Sequence, residues 1–328
     1  MTVREQLSLG IALDGAGAHP AAPGGAPPPE EFVRLVRRAE AALLDFVTAE
    51  DGPGRLDSTV LLAAAAGSTS RIGLVPLGPV AGAPAAYATQ VATLDRLSGG
   101  RAGIRPRLAT GAADHDALVQ LIGTPDGDRR IAELFDAAAE FLGQVEGEWD
   151  GAAEGVRAPQ GRPPVLVLAH DTVPYRFAAR RADVVFVTPG DLQGLRLIRE
   201  QVGRLAEEAG RKPDSLRVFA DLNVILADTP EQAAERREQL DAAAGAPFAS
   251  DAEIFTGTPE GLADLLEEWA GEGGADGFRI RPAVLPEDLY ALVDRTAPEL
   301  VRRGLLRSAY GTRTLRGHLG LTETPLNT

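Results

Sequence analysis

Short apolar segments of strand length alternate along the chain with longer segments in which apolar residues recur every three or four positions. The first such pair is Leu7–Leu13 followed by a helical segment that begins at Glu30, and the same order repeats toward the C-terminus. The predicted strands are continuous apolar runs, which is typical of a parallel sheet covered by helices. We predict eight strands: Leu7–Leu13, Leu44–Glu50, Ile72–Val80, Arg101–Ala109, Pro163–His170, Asp183–Pro189, Leu216–Asp228 and Gly277–Val284.

Eight strand–helix units predict a (β/α)8 TIM barrel, an α/β fold that typically needs about 250 residues. The chain has 328 residues, so we expect one barrel domain over residues 1–328 with a C-terminal tail at 305–328. An open, doubly wound sheet is the alternative with the same order of elements. No G-x-G-x-x-G motif follows the first predicted strand, and the sequence therefore favours the barrel.

The composition restricts the classes of partner and the compartment. The formal net charge is −14, which disfavours nucleic acid as a partner because such binding needs a basic surface. The sequence contains no apolar stretch long enough for a membrane span, and its N-terminus lacks the features of a signal peptide. There is no cysteine, and no cluster of His, Asp and Glu has metal-ligand spacing. We therefore expect a cytoplasmic protein that binds no nucleic acid, membrane or metal.

The segment Ala92–Arg101, with the sequence ATLDRLSGGR, ends a predicted helix. Val91, Leu94 and Leu97 are spaced so that they face the core. Ser98–Gly100 supplies the left-handed residue that terminates a helix. Helix termination therefore explains the motif on physical grounds alone.

The same segment resembles the hallmark of the bacterial luciferase-like flavin-dependent monooxygenases. The C-terminal segment Asp276–Leu321 is similar to the ending of the branch that contains the nitrilotriacetate and dibenzothiophene-sulfone monooxygenases. The resemblance implies a TIM barrel that uses O₂ and FMN, reduced by a separate flavin reductase, to oxygenate a small organic substrate. It also implies a homodimer, or a heterodimer with a related barrel, formed through the second and third helices.

The loops at the C-terminal ends of the strands, which form the active site in TIM barrels, depart from the pattern of that branch. The fourth strand has Arg105, Pro106 and Arg107 where the branch has an asparagine and a threonine that contact the flavin. The loop after the fifth strand has Asp171 and Pro174 where the branch has a glycine and a serine around the phosphate. The flavin site is therefore degenerate. The alternative function is a non-catalytic barrel that has lost FMN binding and serves as a partner subunit or scaffold.

Arginines at strand ends are the first candidates for the site. Arg105 and Arg107 alternate along one strand and so face the same side. Arg279 and Arg281 do the same in the last strand. A buried guanidinium needs a carboxylate, a bound anion or solvent. We expect Arg105, Arg107 and Arg281 to bind an anionic group of the flavin or of an anionic substrate. In the structural alternative the arginines pair with acids of the barrel: Glu50, Asp51 or Asp221.

Three further residues follow strands at the same end of the barrel. His19 lies after the first strand and is the predicted catalytic acid or base, since histidine exchanges protons near neutral pH. His170 and Thr172 follow the fifth strand and are expected to contact the cofactor. Thr172 offers the hydroxyl that replaces the serine of the family pattern.

Overall fold

The computed structural model describes residues 6–23, 25–51, 55–108, 125–153 and 157–322, which form a closed parallel barrel. We number its strands in chain order: β1 (Ser8–Ala12), β2 (Phe46–Ala49), β3 (Gly73–Pro79), β4 (Arg105–Arg107), β5 (Leu166–Leu168), β6 (Val184–Val187), β7 (Arg217–Leu226), β8 (Glu253–Gly257) and β9 (Gly277–Pro282). Eight of them pair in the order β4-β3-β2-β1-β9-β7-β6-β5. A parallel bridge between Ile104 and Val165 joins the two ends of this order. The predicted (β/α)8 barrel is confirmed.

Helices follow the strands and cover the outside of the barrel. They are α1 (Pro29–Ala41), α2 (Ser58–Ala66), α3 (Pro84–Ser98), α4 (Pro125–Asp150), α5 (Thr172–Arg181), α6 (Leu192–Glu208), α7 (Pro230–Ala244), α8 (Pro259–Gly271), α9 (Glu287–Ala291), α10 (Ala297–Arg302) and α11 (Leu315–His318). A π-helical turn, Leu292–Thr296, connects α9 to α10. Within the described ranges, no helix has the length and apolar character needed to cross a membrane.

The ten-residue strand β7 has different partners along one of its edges. Its first residues, Arg217–Ala220, pair with β6, whereas Leu222–Leu226 pair with β8. The sequence pattern predicted no strand at β8, because Glu253–Gly257 is a short mixture of charged, apolar and small residues. Pairing with β7 orders this segment, and a local sequence pattern does not contain that tertiary contact.

The interior of the barrel changes from apolar to polar along the strands. An inner apolar cluster consists of Phe46, Val75, Leu166, Val184, Phe186, Phe219, Leu315 and Leu319. Alternate residues of a strand share a face, so Thr48 follows Phe46 into the interior. Asp221 follows Phe219 in the same way. The polar layer therefore lies toward the C-terminal ends of the strands, where TIM barrels place their active sites.

The described part of the C-terminal tail closes the opposite end of the barrel. Leu315 is fully buried in the inner cluster. A Cβ atom on Gly73 would lie 2.5 Å from a methyl carbon of Leu315, and one on Gly103 would lie 2.9 Å from another. These glycines allow the tail to approach the strands closely. The N-terminal end of the barrel is thereby filled with apolar side chains.

The ATLDRLSGGR segment ends α3 as predicted and also connects two helices to the barrel. Val91 and Leu94 are buried as predicted, but the prediction for Leu97 was wrong: its side chain is 64% exposed, because the buried face of the helix continues through Asp95 and Ser98. Gly99 and Gly100 are both left-handed, with φ of 71° and 91°. Arg101 is 2% exposed, and its guanidinium donates to the carbonyl oxygens of Ala66, Thr69, Ile72 and Ser98 and to the Thr69 hydroxyl. The Asp95 carboxylate accepts from the backbone N–H of Ala102 at 3.1 Å. The motif therefore connects α2 and α3 to the start of the fourth barrel strand.

Candidate functional site

Four arginines at the C-terminal ends of β4 and β9 each contact a carboxylate. The pairs are Arg105–Glu50, Arg107–Asp51, Arg279–Asp221 and Arg281–Asp251. The Arg279–Asp221 pair is bidentate and fully buried, with Arg279 Nε donating to Asp221 Oδ1 at 2.8 Å. The Arg279 guanidinium also lies 4.6 Å from the centre of the Phe186 ring. Three of the four carboxylates are those that the structural alternative named, and Asp251 was not predicted.

These ion pairs do not use all of their hydrogen-bonding groups. In the described part of the chain, seven buried side-chain polar atoms have no hydrogen-bond partner. Six of them lie at the strand ends: Asp14 Oδ1, Thr48 Oγ1, Arg105 Nη1, Arg107 Nε, Asn223 Oδ1 and Arg279 Nη1. A buried polar group without a partner costs about 1–3 kcal/mol, so ligand atoms or ordered water must complete this end of the barrel. Because the set contains donors and acceptors, it suits a ligand that offers both.

The carboxyl groups of Asp14 and Glu50 lie close together but ionise differently. Burial, and the nearby charge of Glu50, raise the pKa of Asp14 to about 6. Burial also acts to raise the pKa of Glu50, but Arg105 and Arg279 outweigh it and lower that pKa below its usual range. At neutral pH Glu50 is therefore ionised. The pKa of Asp14 lies only about one unit below neutral pH, so this carboxyl group can both release and take up a proton. The two neighbouring carboxyl groups therefore differ in how readily they take up a proton.

A cavity of 130 Å³ lies at this end of the barrel. Its lining consists of Ala12, Asp14, Gly17, Ala18, Glu50, Arg55, Arg281 and Pro282. Whole-ligand pockets usually measure about 300–1,000 Å³, so this cavity has room for only one edge of a ligand. A larger cavity of 760 Å³ borders the N-terminal ends of the strands, near Arg217, Arg307 and His318. Because TIM-barrel active sites lie at the C-terminal ends, we identify the smaller cavity as the candidate site.

His19 is buried, and both of its ring nitrogens have partners. Nδ1 accepts from the backbone N–H of Ala21 at 3.1 Å, so the proton is on Nε2, which lies 3.1 Å from Asp241 Oδ1. The ring lies 4.7 Å from that of Phe248. The adjacent backbone N–H of His19 donates to the Ala283 carbonyl oxygen at 3.0 Å. These contacts hold the loop after β1 against α7 and against the end of β9.

The loop after β5 carries the other two predicted contacts. Thr172 begins α5, and its hydroxyl accepts from Gln201 Nε2 at 2.9 Å. Asp171 is the N-cap, and its carboxylate accepts from the backbone N–H of Thr172 at 2.6 Å. His170 is exposed. In the described residues, no hydrogen bond or ion pair connects this turn to the strand-end arginines.

Asp14 and Asn223 were not among the residues predicted from the sequence. Asp14 is two residues beyond Ala12, so the period-two rule of strands assigns it to the inward face. Asn223 follows Asp221 by the same rule, and its amide nitrogen donates to Ser250 Oγ at 2.8 Å. The signal was present as a periodicity that continues past the apolar run. Among the described residues, no group of three or more His, Asp and Glu could hold a metal ion.

Comparisons with known proteins agree with the fold. A family model described as luciferase-like monooxygenase matches residues 10–293. N-acetyl-S-(2-succino)cysteine monooxygenase of Bacillus subtilis (strain 168) is 26% identical over 441 aligned positions, covering 99% of this chain and 98% of the relative. Nitrilotriacetate monooxygenase component A of Aminobacter aminovorans is 26% identical over 451 positions, covering 98% of each. The structure of EDTA monooxygenase from Chelativorans sp. BNC1 superposes with a TM-score of 0.84 at 21% identity, covering 98% of this chain and 100% of that one.

Proposed function

The chain belongs to the family of luciferase-like monooxygenases, and from this premise we propose that it uses reduced FMN and O₂ to oxygenate a small organic substrate. The observation that carries the proposal is the set of six unpartnered polar atoms at the C-terminal ends of the barrel strands. TIM-barrel enzymes bind their ligands at this end. Solved structures with a similar fold are in complex with FMN or with an adduct of F420. The polar edge of a flavin ring offers both hydrogen-bond acceptors and a donor, in keeping with the mixed character of these atoms.

The residues of this chain would bind and orient the ring, while the flavin, when bound, supplies electrons and activates O₂. Arg105 Nη1 and Arg279 Nη1 are available donors, and Asn223 Oδ1 is an available acceptor. Their paired carboxylates keep the two guanidiniums in place, so the donors are oriented before a ligand arrives. The apolar cluster beneath this layer excludes water from that side of the site.

The phosphate of FMN does not fit the turn that begins α5. A helix N-terminus binds an anion through converging backbone N–H groups. Here Asp171 already accepts from Thr172 N–H, and Pro174 has no N–H to donate. We therefore assign the phosphate, or an anionic group of the substrate, to Arg107 and Arg281, whose side chains are 28% and 25% exposed.

The other predicted residues take secondary roles in this proposal. His170 and Thr172 remain predicted contacts of the cofactor. His19 was predicted as an acid or base, but its side chain is fully buried and both nitrogens are engaged. We propose that it acts as a positioning residue, which holds the loop after β1. A flavin reductase as supplier of reduced FMN, and a cytoplasmic location, complete the proposal.

We propose that α2 and α3 form a dimer interface. Leu56, Val60 and Leu97 lie on or beside these helices, and their side chains are 49%, 67% and 64% exposed. Exposed apolar side chains of this size commonly mark a protein–protein contact when they occur together. Substitution of Val60 by glutamate is therefore expected to raise the dissociation constant of the dimer at least tenfold, because it buries a charge in an apolar contact.

Analytical ultracentrifugation or light scattering tests this prediction, because each measures the mass of the protein in solution. The wild type is expected at twice the chain mass of 34.4 kDa, and Val60→Glu at the single-chain mass at low micromolar concentration. Leu197→Glu on α6 is the matched control, since Leu197 is 58% exposed on a different helix. A wild type that is monomeric at all concentrations, or an equal effect of both variants, would contradict the proposed interface.

Titration with oxidised and with photoreduced FMN tests the proposed function directly. We expect micromolar binding of at least one form, followed by flavin fluorescence or calorimetry. Arg107→Ala and Arg281→Ala are each expected to raise the dissociation constant about tenfold, which corresponds to about 1.4 kcal/mol. The reason is that each substitution removes a partly exposed cation from the edge of the site.

Arg302→Ala is the control, because Arg302 is an exposed arginine paired with Glu299 on α10. It should bind flavin like the wild type. Absence of binding of either redox form up to millimolar FMN would overturn the flavin proposal. Binding of F420 in the same titration would then indicate a different cofactor, and no binding at all would support the non-catalytic partner subunit.

A further inference from the structure

Asp14 lies where the inward face of β1 continues beyond the strand. A Cβ on Gly10 would lie 2.2 Å from the Phe46 ring, which places Gly10 on the inner face, and Ala12 and Asp14 follow at intervals of two. Asp14 Oδ1 is buried and accepts no hydrogen bond. The side chain also lines the 130 Å³ cavity. An unpartnered carboxylate oxygen therefore borders the space that a ligand group would enter.

The loop that follows holds Asp14 in this position. Gly15 and Gly17 have φ of 61° and 129°, which lets the chain turn sharply after the strand. The backbone N–H of Gly17 donates to the Asp14 carbonyl oxygen at 3.1 Å. A Cβ on Gly17 would lie only 2.3 Å from the Ala283 carbonyl oxygen, so the loop packs directly against the end of β9. His19 fastens the same loop to Asp241. Asp14 is thus oriented by backbone contacts rather than by a side-chain partner.

The charged groups that act on Asp14 come from three of the barrel strands and from a loop. Glu50 follows β2, Arg105 lies in β4, and β9 contributes Arg279 and Arg281. Arg55 lines the same cavity. Glu50 already neutralises Arg105, so a second ionised carboxylate beside it is repelled by Glu50 and penalised by burial. The three arginines oppose this effect without cancelling it.

We propose that Asp14 is the proton carrier of this site and exchanges one proton between its Oδ1 atom and an oxygen or nitrogen of the bound ligand. Glu50 stays ionised in its pair with Arg105 and sets the field in which the exchange occurs. The step moves a proton only, and it transfers no electrons to or from the protein. The inference rests on the proposed function for the identity of the ligand, but the titration of Asp14 does not depend on it.

The ligand-free protein provides the first test. In protein labelled with ¹³Cγ-aspartate, one carboxyl resonance of Asp14 is expected to titrate with a midpoint near pH 6. Asp45 and Asp95 are also buried with a pKa of about 6, so the resonance is identified by its absence from Asp14→Asn. Asp228→Asn is the control, since Asp228 is 80% exposed in a surface pair. A midpoint for Asp14 below pH 4.5 would overturn the inference.

Riboflavin binding provides the second test, because riboflavin has no phosphate that titrates near pH 6. The wild type is expected to bind it at least fivefold more tightly at pH 5 than at pH 7, since protonated Asp14 offers a donor and removes a negative charge. Asp14→Asn should show no such dependence, and Asp228→Asn should retain it. Equal dependence in the wild type and Asp14→Asn overturns the inference. If no protein binds flavin at any pH, the proposed function fails, and the aspartate resonance alone decides the inference.

Discussion

Replacement of Arg101 by alanine is expected to lower the free energy of unfolding by about 3–5 kcal/mol. The buried guanidinium is the hydrogen-bond donor for four carbonyl oxygens and one hydroxyl. Alanine leaves these acceptors buried and also leaves a cavity. Urea unfolding followed by the fluorescence of the two tryptophans measures the loss.

A second variant separates the geometry of Arg101 from its charge. Arg101→Lys is expected to recover only part of the loss, because an ammonium group cannot reproduce the planar fork of donors. Arg96→Ala is the control from the same motif: Arg96 lies in the last turn of α3, is exposed, and donates to the Arg157 carbonyl oxygen at 3.0 Å. A loss below about 1 kcal/mol for Arg101→Ala would show that the motif ends a helix and does nothing more.

Asp221→Asn is expected to destabilise the protein by a similar amount, about 3–5 kcal/mol. The substitution preserves the shape of the side chain but leaves the Arg279 charge buried without its counter-ion. Arg279 is 1% exposed and Asp221 is fully buried, so solvent cannot compensate for the change. Thermal and chemical unfolding of the variant at neutral pH measure the effect.

The double variant Asp221→Asn/Arg279→Met tests the origin of that loss. It should be more stable than Asp221→Asn alone, because removing both charges eliminates the unpaired cation. Asp264→Asn is the control for a surface ion pair, since Asp264 is 69% exposed beside Arg303. It should change stability by less than about 1 kcal/mol. If the double variant is no more stable than the single one, the loss does not come from the buried charge.

These predictions give Arg101 a different role from Arg105 and Arg279 at the strand ends. Arg101 is satisfied by five acceptors within the fold, so it stabilises the scaffold. Arg105 and Arg279 each retain one buried nitrogen, Nη1, without a hydrogen-bond partner, although each is paired with a carboxylate. An ion pair that leaves part of its hydrogen-bonding capacity unused can serve both the fold and a ligand. The strand-end layer is therefore both a structural network and the candidate site.

The sequence predicted the barrel because its signal is local and repeated. Each strand is a run of apolar residues and each helix has its own period, so eight units could be counted without knowing their contacts. The same reasoning showed that arginines within a buried strand must find partners, and named Glu50, Asp51 and Asp221 among them. It could not find β8 or Asp251, because neither belongs to an apolar run and both acquire their role by lying beside β7 or Arg281.

Three features can be read from the sequence, since each depends on residues that are close together in the chain. They are the amphipathic pattern, the glycines that end helices, and the need to neutralise buried arginines. The functional assignment of His19 could not be read in this way. Its proximity to Asp241, 222 positions away, engages the nitrogen that an acid or base would use. Asp14 became a candidate only when the folded barrel brought Glu50 and three arginines around its unpartnered oxygen. Hydrogen-bond partners and electrostatic fields are set by distances in space, and the closing of the barrel creates those distances.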